Sequence, residues 1–452
     1  MNKALCTIAF VATILITLFL PHAACSQQSA HGKASTLGAY RLISLKITGT
    51  ERYTDKEILA ASGLQIGQNA ADGDFREVVQ RLGYSGLFSD VSYAYSYSGA
   101  GVKLELQLAD TDTSKLVPAH FENFVWFTDD ALLNALQKRV PLFKALLPLA
   151  GGLADRVSEA LQSILTDNRF PGRVDFVREG DESADGRGAI VYRVEEVSIR
   201  IRNVEFPGAS PEQTDLLTTA ASRLTGAEYS RSTLAAADKF DFLPVYLQRG
   251  YLKATFGPSD ARVIPRPAVT PPSDEPAPTE LEVDAVVPVS PGKIYLSSGL
   301  EWKANSAIST SELAPLLHLP PGQPADAVRL VHDIENVNKL YRSRGYMTAQ
   351  IKADPQFDDE KSTVHYNLSA VEGDLYRMGE FEITGVDTQA KARLVAAWTL
   401  RTGQPYNADY PKKFLDDTGA FLPRGAKWAA TVHESPDAKS KTVDVEIHFK
   451  QQ

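Results

Sequence analysis

The chain is 452 residues long and carries 47 Lys and Arg against 56 Asp and Glu, a formal net charge of −9. That balance argues against nucleic acid as a partner, because a phosphate-binding protein needs a basic face. The only cysteines, Cys6 and Cys25, lie in or beside the first 26 residues, so the remainder has no disulfide and no thiolate chemistry.

In chain order, Met1-Asn2-Lys3 is a short basic start, Ala4–Leu20 an uncharged apolar run, and Pro21 precedes the small residues Ala23-Ala24-Cys25-Ser26. This is the layout of a secretory signal peptide over residues 1–26. An uncleaved anchor is the alternative, since 17 apolar residues sit at the lower edge of a membrane span. His22-Ala23-Ala24-Cys25 also resembles a bacterial lipoprotein signal, which makes Cys25 a lipidation candidate. Residues 27–39 read as a linker, and no later apolar run approaches membrane length.

Residues 40–112 then show a unit of two helices and three strands. Ile43, Leu45 and Ile47 alternate with polar neighbours as in a half-buried strand that Gly49 ends. Thr54 or Asp55 caps a first helix, and Phe75, Val78, Val79 and Leu82 share one face of a second. The turn Ser85-Gly86-Leu87-Phe88 follows, and Ser98-Gly99-Ala100-Gly101 joins two alternating strands, Val91–Tyr97 and Val102–Leu108. The order is β-α-α-β-β.

The phrase L-x-x-G-Q stands at Leu64–Gln68, Leu319–Gln323 and Leu400–Gln404, and residues 47–68 align with 383–404 without a gap. Such self-similarity marks an array of small modules. The boundaries read from it are 40–112, 113–196, 197–291, 292–373 and 374–452. The third unit has a looser Leu224-Thr225-Gly226-Ala227-Glu228, and the second is the most divergent. Arg249-Gly250-Tyr251 and Arg344-Gly345-Tyr346 end the second helices of units three and four, and Asn168-Arg169-Phe170 replaces them in unit two. Asn is expected to take the left-handed conformation there, as the residue that tolerates it best after Gly. Thr418-Gly419-Ala420-Phe421 repeats the first unit's Ser-Gly-Leu-Phe turn. Pro258–Pro278, with seven prolines, reads as an enlarged, solvated hairpin loop in unit three.

Taken together, the strand-Gly openings Ile47-Thr48-Gly49 and Ile383-Thr384-Gly385, the L-x-x-G-Q phrase and the Gly-aromatic turns resemble POTRA domains. These form the periplasmic arm of BamA-type outer-membrane insertases. The resemblance implies an α+β fold, each module a three-stranded sheet with two helices on one face. Family members continue into a membrane β-barrel. The chain's five units leave no sequence for one, so the expectation is a barrel-less array. Scaffolding or chaperoning is what the resemblance then implies, not insertion.

No motif of catalysis or cofactor binding is present: there is no H-E-x-x-H, P-loop, G-x-S-x-G or Rossmann pattern. The expectation is therefore no enzyme, no cofactor and no metal. His332-Asp333-x-Glu335 reads as a solvated helix face, and Asp110–Thr113 as a module linker. In POTRA-like units the second strand lies at the sheet edge, where it can add an extended peptide. The expected edges are Val91–Tyr97, Arg173–Arg178, Leu252–Phe256, Thr348–Ala353 and Trp428–Ala430. The first is the preferred site, with Tyr93, Tyr95 and Tyr97 lining one face; packing of these rings on the helices is the competing reading. The expected partners are outer-membrane protein clients or insertase-complex components, met in the periplasm or at the periplasmic face of the outer membrane. The alternative is a cell-envelope or division scaffold unrelated to barrel biogenesis.

Overall fold

The computed structural model describes residues 40–180, 188–265, 279–417, 422 and 427–451. The signal segment, Cys25, the turn 418–421 and most of the Pro-rich stretch lie outside these residues. Two compact units divide the chain: 40–83 with 88–110, and 84–87 with 111–451.

In the first unit, the opening strand Tyr40–Thr48 pairs parallel with Gly101–Asp110, which pairs antiparallel with Phe88–Ser98. The last strand in sequence is therefore central, and the middle one is the edge. The second unit repeats this order in four more sheets. Their opening strands are Leu116–Phe121, Val197–Glu205, Leu296–Ala304 and Arg377–Thr384. Their central strands are Ala189–Glu195, Thr279–Val286, Thr363–Val371 and Thr442–Gln451. Their edges are Arg173–Glu179, Asp260–Ile264, Gln350–Asp358 and Trp428–Asp437.

Alternation explains why one face of each sheet is dry. Val102, Leu104, Leu106 and Leu108 are all buried, as are Val443, Val445, Ile447 and Phe449 in the last module, while their neighbours look outward. The buried faces meet helices: Ile58, Phe75, Val78 and Leu82 in the first module, Leu394 and Phe414 in the last. Thr54 caps Asp55–Ser62 in a reciprocal box with Glu57, fixing where that helix begins.

The structure corrects two expectations about strands and turns. In the third module the edge is not Leu252–Phe256; Thr255–Phe256 pairs with Val289–Ser290 in a separate ribbon. The edge is Asp260–Ile264, residues assigned by composition to the Pro-rich loop. The prolines crowd the far end of that stretch, so a short strand survives before Pro265. In the second module the left-handed residue is Arg169, φ +58°, not Asn168, which keeps φ −92°. Asn168 instead donates its side-chain amide to the Ile164 carbonyl at 2.8 Å, closing the helix end.

The L-x-x-G-Q phrase does more than end a helix. Gly67 N–H donates to Leu42 O and Leu42 N–H to Gln68 O, both at 2.7 Å. Gly322 and Gln323 make the same exchange with Ser297, and Gly403 and Gln404 with Met378. The looser third-module version does so with Ile201. Each phrase is thus a tight turn that hydrogen-bonds to the outer flank of its own opening strand. All four glycines have positive φ, between +80° and +97°. Gln68 and Gln404 close their turns from within, each side-chain carbonyl accepting the N–H of Gln65 or Arg401.

Candidate partner-binding edge

The middle strands end their sheets, with no strand beyond them among the described residues. Their outward N–H and C=O groups are a template for another chain, a hazard that proteins blunt with charge, proline or brevity. Four of the five edges carry such devices. Arg173–Glu179 has Arg173, Asp175, Arg178 and Glu179 among seven residues, and Asp260–Ile264 is only five long. Gln350–Asp358 contains Lys352, Asp354 and Pro355, and Trp428–Asp437 contains Glu434, Pro436 and Asp437. Phe88–Ser98 differs: it runs eleven residues without proline or lysine, and from Val91 to Val102 no side chain is charged.

Tyr93, Tyr95 and Tyr97 stand together on the helix side of this strand. Tyr93 and Tyr95 pack on Phe75 of the helix Asp72–Tyr84, with ring centroids 6.2 and 5.5 Å away. Tyr93 and Tyr95 stack at 6.2 Å, Tyr95 meets Tyr97 edge-on at 5.6 Å, and Tyr97 reaches Tyr40 at 4.7 Å. The Tyr93 hydroxyl donates to Asp72 Oδ1 at 2.7 Å, and Arg76 holds the same carboxylate. Those two bonds pull the Asp72 carboxyl below the usual range, while desolvation first, then Asp72, pushes the Tyr93 hydroxyl up. Packing on the helix and lining the edge are thus compatible: the rings are half-buried to Tyr95, and Tyr97 is 48% exposed. Ser92, Ala94 and Ser96 face water on the other side.

A cavity of about 610 Å³ lies between the second and third modules, lined in part by His120, Glu122, Asp129, Glu179, Arg231 and Asp238. Arg231 donates to the carbonyls of Phe121 and Phe127 and pairs with Asp129 at 2.6 Å. Glu122 accepts from the Ser232 N–H and hydroxyl. Asp238 opens a π turn, with Leu243 N–H bonding back to its carbonyl, because Pro244 has no N–H to continue the α pattern. Burial pushes its carboxyl up to about 6, and its Oδ1 has no hydrogen-bond partner. Asp333 overturns the solvated reading of its helix face. It is fully buried, accepting from His318 N at 2.6 Å and Arg329 Nε at 2.9 Å, and so ties the phrase loop to the helix. Among the described residues no cluster of three or more His, Cys, Asp or Glu is placed to hold a metal ion. No helix among them is long and apolar enough to cross a membrane.

Repeated sheets of this order, each with two helices on one face, define a tandem array of POTRA-like α+β modules; in the first two sheets a short fourth strand, Asn69–Ala70 or Leu146–Pro148, flanks the opening strand. The family model POTRA, surface antigen variable number repeat, matches residues 295–373. The chain is similar to the outer membrane protein assembly factor BamA of Neisseria meningitidis serogroup B (strain ATCC BAA-335 / MC58), with 23% identity over 181 residues. That match covers 37% of this chain and 23% of the relative, so the chain spans less than a quarter of that protein. Among solved structures it is similar to POTRA domains 3–5 of Haemophilus influenzae BamA, at 20% identity and a TM-score of 0.38, covering 56% of this chain and 96% of that one. It is also similar to the N-terminal domain of Omp85 from Thermosynechococcus elongatus, at 16% identity and a TM-score of 0.22, covering 56% and 97%.

Proposed function

We propose that this chain is an exported POTRA-array scaffold that assists outer-membrane protein assembly by adding extended segments of clients or assembly partners to the edge strand Phe88–Ser98. One observation carries this reading: that edge is long, open and free of charged side chains from Val91 onward, whereas the other four are blunted. Similarity to a protein named an outer membrane protein assembly factor supports the process. Main-chain pairing supplies affinity with little sequence selectivity, which suits a handler of many unfolded barrel strands. The signal-like N-terminus supports action in the periplasm, with Cys25 the site of a lipid anchor if the segment is processed as a lipoprotein.

The test combines partner capture with proline substitution. Co-purification from envelope extracts should recover insertase components or unfolded barrel proteins; recovery of peptidoglycan or division proteins alone overturns the assembly role. Ala94→Pro and Tyr95→Pro are made separately, because neighbouring residues of an edge strand aim their N–H groups in opposite directions. The substitution at the outward-facing position should keep the fold and lose client binding. Undiminished binding by both folded variants excludes this strand.

A further inference from the structure

The open edge is complementary to itself. Over Ser92–Ser98 the sequence reads Ser-Tyr-Ala-Tyr-Ser-Tyr-Ser, tyrosines on the helix side and small residues on the solvent side. A second copy laid antiparallel in a register centred on Tyr95 places Tyr95 opposite Tyr95 and Tyr93 opposite Tyr97, twice. The same register sets Ala94 against Ser96. All three tyrosine pairs fall on one face, no charge meets another, and the two-fold arrangement is closed, each copy giving and receiving the same contacts. Aromatic pairs directly opposite one another are among the favourable cross-strand combinations. The rings are already held in line by Phe75, by one another and by the Tyr93–Asp72 hydrogen bond, so little side-chain freedom remains to be lost.

We infer that the first module pairs with a second copy of this chain through Phe88–Ser98, and that this self-pair covers the client edge until a client strand displaces it. The inference rests on the edge-pairing reading above and adds its regulation. Among the described residues no other edge offers the same match: Asp260–Ile264 is only five residues long and carries Asp260 and Arg262. Antiparallel self-pairing of Gln350–Asp358 or Trp428–Asp437 would bring in a proline and charges, and Arg173–Glu179 is charged at four of seven positions. One strand pair is a small interface, so the association should be weak, with a Kd on the order of 10–100 µM.

Charge exchange tests the register. Ala94 and Ser96 are exposed, so changing them spares the core. In the double variant A94K/S96K each lysine would face a lysine across the two-fold, and in A94E/S96E each glutamate a glutamate. Sedimentation equilibrium of the full chain should show concentration-dependent dimers for the wild type, monomers for each double variant alone, and dimers again in their equimolar mixture. A wild type monomeric at several hundred micromolar overturns the self-pair, as does a dimer that both variants retain. Separation from the client reading comes from an added peptide of the wild-type sequence Val91–Ser98, followed by fluorescence anisotropy. Peptide binding with no wild-type dimer leaves the client edge standing and removes the self-pair. A dimer that obeys the charge exchange while an unfolded barrel protein binds without dissociating it keeps the self-pair and places the client elsewhere.

Discussion

Two glycines of the last module occupy left-handed backbone for different reasons, and their substitutions should cost differently. Gly403, φ +85°, has nothing within 4 Å of where a Cβ would stand, so an alanine there meets only backbone strain. Gly385, φ +82°, would place its Cβ 1.8 Å from the Phe449 carbonyl oxygen, where it crosses the end of the central strand. Gly403→Ala should destabilise by about 1 kcal/mol. Gly385→Ala should cost at least about 3 kcal/mol, because strand backbone must move. Amide exchange across Thr442–Gln451 reads both. Asp238 gives a residue-scale pH signature. Its carboxyl rises from 3.8 to about 6 on folding, so the native state binds the proton more tightly than the unfolded chain. Stability should therefore fall as pH rises from about 4 to 6, with the full penalty present above 6. Partial solvation limits that penalty to roughly 1–2 kcal/mol of the value the shift implies. Burial is the cause of the shift; Glu122, Asp129, Glu179 and Arg231 are the other charged groups that line the same cavity. Asp238→Asn should flatten this window in thermal melts between pH 4 and 7; an unchanged profile shows that the carboxyl does not titrate there.

At the scale of elements, each module shields one flank of its sheet and leaves the other to its side chains. The L-x-x-G-Q turn or its looser third-module version hydrogen-bonds to the opening strand, and Leu146–Pro148 pairs with it in the second module, so the middle strand's edge must be managed by composition. Removing that management should create a new adhesive edge. Lys352→Thr, Asp354→Thr and Pro355→Val together should make the fourth module self-associate at tens of micromolar, visible by light scattering, whereas Lys352→Thr alone should not. The strands themselves were legible because alternation is a local signal: Val102 to Leu108 announces a dry face without knowledge of the fold. The bond from Gly67 to Leu42 was not, because it joins residues far apart through backbone groups that every sequence carries. Composition misled in the third module, where prolines beyond Ile264 masked the strand before them. The place of Val91–Tyr97 at an edge followed from the resemblance, and alternation put Tyr93, Tyr95 and Tyr97 on one face, but the hydrogen bond that steadies their row depends on Asp72, 21 residues earlier.

Across modules three to five, a helix-stop signal also serves as the joint between domains. Tyr251 and Tyr346 N–H groups bond back to the Tyr246 and Tyr341 carbonyls, wrapping each helix end around Gly250 or Gly345. The carbonyls of those same glycines accept from Tyr295 and Tyr376, the residues just before the next opening strands, each at 2.8 Å. Tyr295 and Tyr376 accept in turn from Ala325 and Tyr406, two residues beyond the L-x-x-G-Q phrase. The two joints are therefore the same three-segment ladder, repeated. A Cβ on Gly250 would stand 2.7 Å from Tyr295 O, and one on Gly345 2.8 Å from Tyr376 O. This explains why glycine is needed there beyond its φ. Arg169 can occupy the matching turn of the second module, whose link to the third runs through Arg231, Glu122 and Ser232 instead. Lys253 adds a clamp at the first of the two ladders, pairing with Asp359 at 2.7 Å beside the Tyr295 ring. Gly250→Ala and Gly345→Ala should each open their own joint and spare the other. In hydrogen exchange, Tyr295 and Ala325 should lose protection in the first variant, Tyr376 and Tyr406 in the second, each by at least about ten-fold. Equal loss at both joints in either variant would mean that the three modules unfold as one cooperative body, with no separable ladders.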